Sequence, residues 1–182
     1  GVCGACSVLV DGKTTKSCLK LAADTDACAV TTVEGLATTA QLHPLQQALW
    51  DHFAVQNGFS TPGTLIAAVE LLQQNPDPSE AEIKQWLQGN LSRETGYQQV
   101  VQAIKNAADQ INGRAGAPAA AVGQGIGVSV PTRKTRELVT GQAQFIADMS
   151  LPGMAHAAIL QSPHGHAIIK NIDTSAAEAM PG

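Results

Sequence analysis

Aromatic side chains are scarce in this chain: three phenylalanines, two tryptophans and one tyrosine among 182 residues. So few rings exclude a base-stacking platform of the kind that holds single-stranded nucleic acid. A surplus of positive charge is missing too. Eleven Lys and Arg face fifteen Asp and Glu, for a formal net charge of −4. The cations are scattered, so no basic stripe follows a phosphate backbone. No apolar run reaches the length of a membrane span; the alanine-rich stretch 115–122 is short and broken by Gly and Pro. Nor does the chain open with a basic segment and an apolar run in the manner of a signal peptide. These absences predict no nucleic-acid partner, no membrane span and a cytoplasmic location. The first residue is Gly1 and the final Pro181-Gly182 has no capping logic. Both ends are therefore expected to be truncations, and the unseen start leaves a periplasmic location open.

What the chain does have is a cluster of thiols near its start. Cys3-Gly4-Ala5-Cys6 puts two thiolates within reach of one metal, and Cys18 follows a predicted hairpin, so it can fold back as a third. Three thiolates do not close a tetrahedral site. The fourth ligand is either Cys28 or a residue before Gly1. Two disulfides or plain buried thiols are the alternatives, but nothing marks secretion, and tight Cys-x-x-Cys spacing in an intracellular chain points to metal or redox chemistry.

Ser7 to Val10, Asp11-Gly12 and Lys13 to Ser17 read as a β-hairpin, because Asp-Gly between β-rich runs can take positive φ. Ala29 to Val33 is a further predicted strand, ended by Gly35. Helical signals follow. His43-Pro44 opens a helix carrying Leu45, Leu49 and Phe53; Pro suits a first turn. Thr61-Pro62 opens a second, with Leu65, Ile66, Val69 and Leu72 on one face. Asn75 to Pro78 stops it. Ser79 and Glu82 form a capping box for a third with Ile83, Trp86 and Leu87. Thr95 and Gln98 cap a fourth with Tyr97, Val101, Ile104, Ala108 and Ile111. The Gly- and Ala-rich stretch after Gly113 reads as a linker. Beyond it, 138–141, 154–160 and 167–172 look like short strands. The predicted class is α+β.

Three sets of residues resemble a known family. Cys3-Gly4-Ala5-Cys6 with Ser7 to Gly12 and Ser17-Cys18 resembles the plant-ferredoxin-like 2Fe-2S domain of the xanthine dehydrogenase and aldehyde oxidase family of molybdenum hydroxylases. Leu42 to Gln46, Gly58-Phe59, Thr61-Pro62-Gly63, Asn90-Leu91 and Thr95-Gly96-Tyr97 resemble that family's second, helical 2Fe-2S domain. Val139-Thr140-Gly141, Leu151 to Met154, Ser162 to His166 and Ile172-Asp173-Thr174 resemble the opening of its molybdopterin-binding large subunit. The resemblance implies a partial β-grasp domain over 1–37, a four-helix-bundle domain over 38–112, a linker over 113–130 and, over 131–182, the incomplete start of an α/β large-subunit domain.

It also implies a ligand set. The family's plant-type pattern makes Cys3, Cys6 and Cys18 the second, third and fourth ligands of one 2Fe-2S cluster, with the first upstream of Gly1. Cys28 matches no ligand and reads as a small buried apolar residue. Zinc on Cys3, Cys6, Cys18 and Cys28 is the rival, and its spacing fits none of the usual ribbon patterns. In the helical domain the family carries Cys-Gly-x-Cys and Cys-Arg-Cys. Here stand Asn57-Gly58-Phe59-Ser60 and Ser92-Arg93-Glu94. Neutral oxygens and a hard carboxylate do not suit an iron–sulfide core, so the domain is expected to fold without a second cluster. Ser60 and Ser92 are expected to cap helices, and Glu94, if buried without Arg93 or another cation, to cost stability.

Gln56 matches a family position next to the pterin. With no flavin domain before Val139, the resemblance is to single-chain, flavin-free aldehyde oxidoreductases. It implies molybdopterin in the full-length protein, an external electron-acceptor protein, the rest of the large subunit as a partner, and room for a homodimer. The expected function is the iron–sulfur electron-transfer portion of such an enzyme, without its catalytic centre; a non-catalytic one-cluster carrier or scaffold is the alternative. His43, His52, His164 and His166 read as ordinary residues, and the Gly123 to Gly127 run follows no strand and opens no helix, so it is not a nucleotide loop.

Overall fold

The computed structural model describes residues 1–38, 41–116, 125–130 and 132–181. The middle of the predicted linker, and with it Gly123 and Gln124, lies outside the described residues.

Asp11 and Gly12 both take positive φ, 50° and 79°, as a two-residue type I′ turn requires. They join β1 (Ser7–Val10) to β2 (Lys13–Lys16) in antiparallel register, with Ser7 opposite Lys16. A short β3 (Val30–Thr31) pairs with the other edge of β1, giving the order β2-β1-β3. The strand expected over 29–33 is thus only two residues long. Val33 enters a 3-10 turn instead and is buried, where it joins the core shared with the helices.

The first three helices begin where the sequence places them. In α1 (Pro44–Asp51), Leu45 and Leu49 are buried. Phe53 is not on this helix: the chain leaves it at His52, and Phe53 takes φ 53°. Apolar residues occupy almost every face of α2 (Thr61–Gln74), which marks a helix enclosed by its neighbours. It contacts the sheet and α1, and also α3 (Glu80–Trp86) and α5 (Thr135–Val139). One edge of β2 is held to it where the Thr14 N–H donates to Glu70 at 2.9 Å. The capping box of α3 forms as expected from Ser79 and Glu82. Along α4 (Gln98–Ile111), Val101, Ile104 and Ala108 are buried, whereas Tyr97 and Ile111 are exposed. Tyr97 is its N-cap and lends no side chain. The Thr95 hydroxyl donates to the Asn90 carbonyl instead of capping α4.

Residues 138–141, expected as a strand, are the end of α5 and its turn. Their backbone bonds run locally, from Leu138 N to Lys134 O and Thr140 N to Arg136 O. Val139 is fully buried against the helical core. The side chain of Gln46, also buried, donates to the carbonyls of Val33 (3.3 Å) and Val139 (2.9 Å) and so joins α1 to both.

The chain divides into a unit of residues 1–145 and a smaller one of 146–182. In the second, a 3-10 turn (Ile146–Asp148) and α6 (Ser175–Glu178) are the regular elements among the described residues. The strands expected over 154–160 and 167–172 do not form. A strand is held by bonds to a neighbouring strand, and among the described residues these segments pair with none; Met154 N bonds only locally, to Leu151 O at 3.0 Å. A three-stranded sheet with helices makes the chain α+β.

Candidate functional site

The turn that reverses the hairpin also sets the thiols. Opposing Ser7 and Lys16 leaves Cys6 beside Ser17, whose N–H donates to the Cys6 carbonyl at 3.2 Å. Cys6 Sγ and Cys18 Sγ then lie 3.2 Å apart. Thiolate bonds of about 2.3 Å, as at zinc, put the sulfurs of a tetrahedral metal about 3.8 Å apart. The pair therefore needs only a small opening to share one iron. Hydrogen bonds from Cys18, first its backbone and then its side chain, hold the Cys6 thiol down at about 7. The three predicted ligands do not close into a three-ligand group among the described residues.

The loop between Cys3 and Cys6 is pressed onto the helices by backbone contact. Its carbonyls are engaged: Cys3 O accepts from Leu91 N (2.7 Å), and Gly4 O from Ser7 Oγ (2.7 Å) and Asn90 Nδ2 (3.2 Å). Gly4 has φ 73°, and a Cβ there would stand 2.2 Å from Gly89 O. A Cβ on Gly63, in the first turn of α2, would stand 2.2 Å from Gly4 O. Both positions need glycine for close approach as much as for φ. Cys28 is not part of this centre. Its thiol faces the Asp24 carbonyl at 3.8 Å and is pushed up by burial and then by Asp11. It precedes β3 and is only half-buried, a correction to its reading as a buried apolar residue.

The second ligand set of the helical domain does converge, though none of its members is a thiol. Asn57 Oδ1 accepts from the backbone N–H groups of Phe59 (2.7 Å) and Ser60 (3.3 Å). The hydroxyls of Ser60 and Ser92 both donate to Glu94 Oε2, at 2.8 and 3.2 Å. Glu94 is 7% exposed, and no ion pair of the described residues involves it. Its charge is met by hydroxyl protons. The space left between these groups and Leu49, Ala54 and Val100 is about 10 Å³, room on the order of one water. Oxygen donors of this kind and so small a cavity do not fit a diiron core. The serines do not cap helices as expected. Ser60 is the N-cap of α2 but makes no side-chain cap, and Ser92 lies well before α4. Each hydroxyl serves Glu94 instead, because a buried carboxylate without a cation needs donors.

Gln56 is exposed and donates to Phe53 O at 3.2 Å, at the edge of a groove of about 240 Å³ shared with Trp50, Phe53, Thr132 and Thr135. His43, read as ordinary, is the N-cap of α1: its Nδ1 accepts from Leu45 N (3.2 Å) while Gln46 Oε1 accepts from His43 N (2.9 Å). Its place before Pro44 and three residues ahead of Gln46 was the available signal. His164 and His166 are exposed, in a segment without regular structure.

The family model of the 2Fe-2S binding domain matches residues 32–105. That of the a/b hammerhead domain of aldehyde oxidase and xanthine dehydrogenase matches 140–182. An aldehyde oxidoreductase of Megalodesulfovibrio gigas is 39% identical across the whole of this chain, which spans 21% of that protein's length. The nicotine 6-hydroxylase small subunit of Paenarthrobacter nicotinovorans is 49% identical over 64% of this chain and 70% of its own length. Among solved structures, the aldehyde oxidoreductase from Desulfovibrio gigas superposes with a TM-score of 0.76 at 37% identity, covering all of this chain and 21% of that one.

Proposed function

The chain belongs to the xanthine dehydrogenase and aldehyde oxidase family of molybdenum hydroxylases, and from that premise we propose that it is the iron–sulfur electron-transfer portion of an aldehyde-oxidoreductase-like member. Cys3, Cys6 and Cys18 would hold one 2Fe-2S cluster, with a fourth ligand from a residue preceding Gly1. Bound there, the cluster supplies one-electron redox chemistry. The chain's part is to hold the thiolates close, as Cys6 and Cys18 already stand, and to seat their loop on α2 by the Gly4–Gly63 contact. In the full-length protein the donor is a molybdopterin centre in the large-subunit portion, which would hold the catalytic residues. Gln56 would contact the pterin, and the acceptor is an external protein. Assembly as a homodimer and the division at residues 37, 112 and 130, with a β-grasp and a helical bundle as its first two parts, belong to the same reading.

The helical domain contributes a scaffold without a cluster of its own. The oxygen network around Glu94 carries this proposal: it satisfies in protein what a cluster would otherwise fill. The same network favours a second reading, a one-cluster carrier or scaffold that no longer serves a molybdenum centre. Low-temperature EPR of the dithionite-reduced full-length protein, with a molybdenum assay, tests both. One 2Fe-2S signal with molybdenum supports the enzyme, and one signal without molybdenum the carrier. Two distinct 2Fe-2S signals overturn the one-cluster account.

A further inference from the structure

An ammonium group is built into the wall of the cysteine loop. Lys16 stands opposite Ser7 in the hairpin register, between the neighbours of Cys6 and Cys18. Its half-buried side chain turns inward: Nζ donates to Ser7 Oγ at 2.8 Å, and Ser7 Oγ donates to Gly4 O at 2.7 Å. Nζ would lie 2.9 Å from a Cβ on Gly4 and 3.7 Å from one on Gly89, so the charge rests against Gly4, one of the two residues between Cys3 and Cys6. Lys20, two residues past Cys18, is paired with Asp24 at 3.8 Å. No ion pair of the described residues involves Lys16. A cation held this way, by a hydroxyl and beside carbonyls, keeps its field for whatever the loop surrounds.

We infer that Lys16 sets the reduction potential of the cluster held by Cys3, Cys6 and Cys18, an inference that rests on the one-cluster reading above. Two ferric ions, two sulfides and four thiolates carry a net charge of −2. One electron from a one-electron donor converts one ferric ion to ferrous, takes up no proton and makes the charge −3. Lys16 stabilises the more negative state, so its charge raises the potential. The hairpin fixes this coupling: the register that brings Cys18 to Cys6 also brings Lys16 to Ser7.

The test is a dithionite redox titration of full-length protein followed by EPR, with iron content and thermal midpoint measured on each sample. Lys16→Met keeps the stem and removes the charge. It is expected to lower the reduction equilibrium constant about tenfold, which is about 59 mV for one electron, at wild-type iron content. Lys16→Arg restores the charge and is expected to stay within about threefold of wild type, whereas a purely structural role would move the thermal midpoint and leave the potential alone. Should Lys16→Met fail to retain iron, Lys16→Gln provides the same comparison. An uncharged variant with full iron content and an unshifted potential overturns the inference while leaving the cluster reading intact. A wild-type protein with no 2Fe-2S signal overturns the reading itself, and the inference with it.

Discussion

Cys6 and Cys28 are both free thiols in the β region, yet they differ in company and in charge. Cys6 sits against Cys18 and is held down at about 7; Cys28 sits against a carbonyl and is pushed up. The thiolate is the ligand form. Cys6→Ser should therefore abolish the visible absorbance of the cluster proposed for Cys3, Cys6 and Cys18 in the full-length protein and lower iron by about two per chain. Cys28→Ser should leave both at wild-type values; a loss of metal there would revive the four-cysteine zinc site. At this scale the thiols were legible in the sequence and the oxygen network was not. Asn57, Ser60, Ser92 and Glu94 could be named as positions without soft ligands. Which donor meets which acceptor depends on the approach of two loops far apart in sequence, and local capping propensity pointed the serines elsewhere.

Single elements carry the next two tests. The N-cap of α1 is a neutral imidazole whose Nδ1 accepts a backbone N–H, and burial pushes His43 below its ordinary value. The unfolded chain binds that proton first, near pH 6.5. The contribution is thus fully present above about pH 6.5 and is lost as pH falls through the lower folded value. Urea midpoints measured at pH 7.5 and 5 should fall further in wild type than in His43→Asn, which keeps a cap that does not titrate. Equal slopes would contradict the role. Gly63→Ala places a Cβ 2.2 Å from Gly4 O and 3.0 Å from the Ala5 Cα, backbone atoms that cannot rotate aside. It should cost about 2 to 3 kcal/mol in urea unfolding, the range of overpacked cores, and reduce iron retention; a neutral result would mean the cysteine loop is not seated on α2. Hairpin and helix starts were readable because Asp11-Gly12, Pro44, Pro62 and Ser79 fix local backbone. Residues 138–141 misled because apolar content alone does not separate a strand from one buried turn of helix.

Taken whole, the 1–145 unit binds the sheet, the helices and α5 into one core, with Gln46 bridging Val33 and Val139. That core explains how a domain matched to a 2Fe-2S family can be filled by hydroxyls and a carboxylate. Its helices bury their own apolar faces, and the network around Glu94 pairs the polar atoms of Ser60, Ser92 and Glu94 with one another. One comparison tests this most directly: iron and acid-labile sulfide per chain in full-length wild type beside the variant N57C/S60C/S92C/E94C. About two of each in wild type, rising to about four in the variant, is the predicted result. About four of each already present in wild type would contradict it.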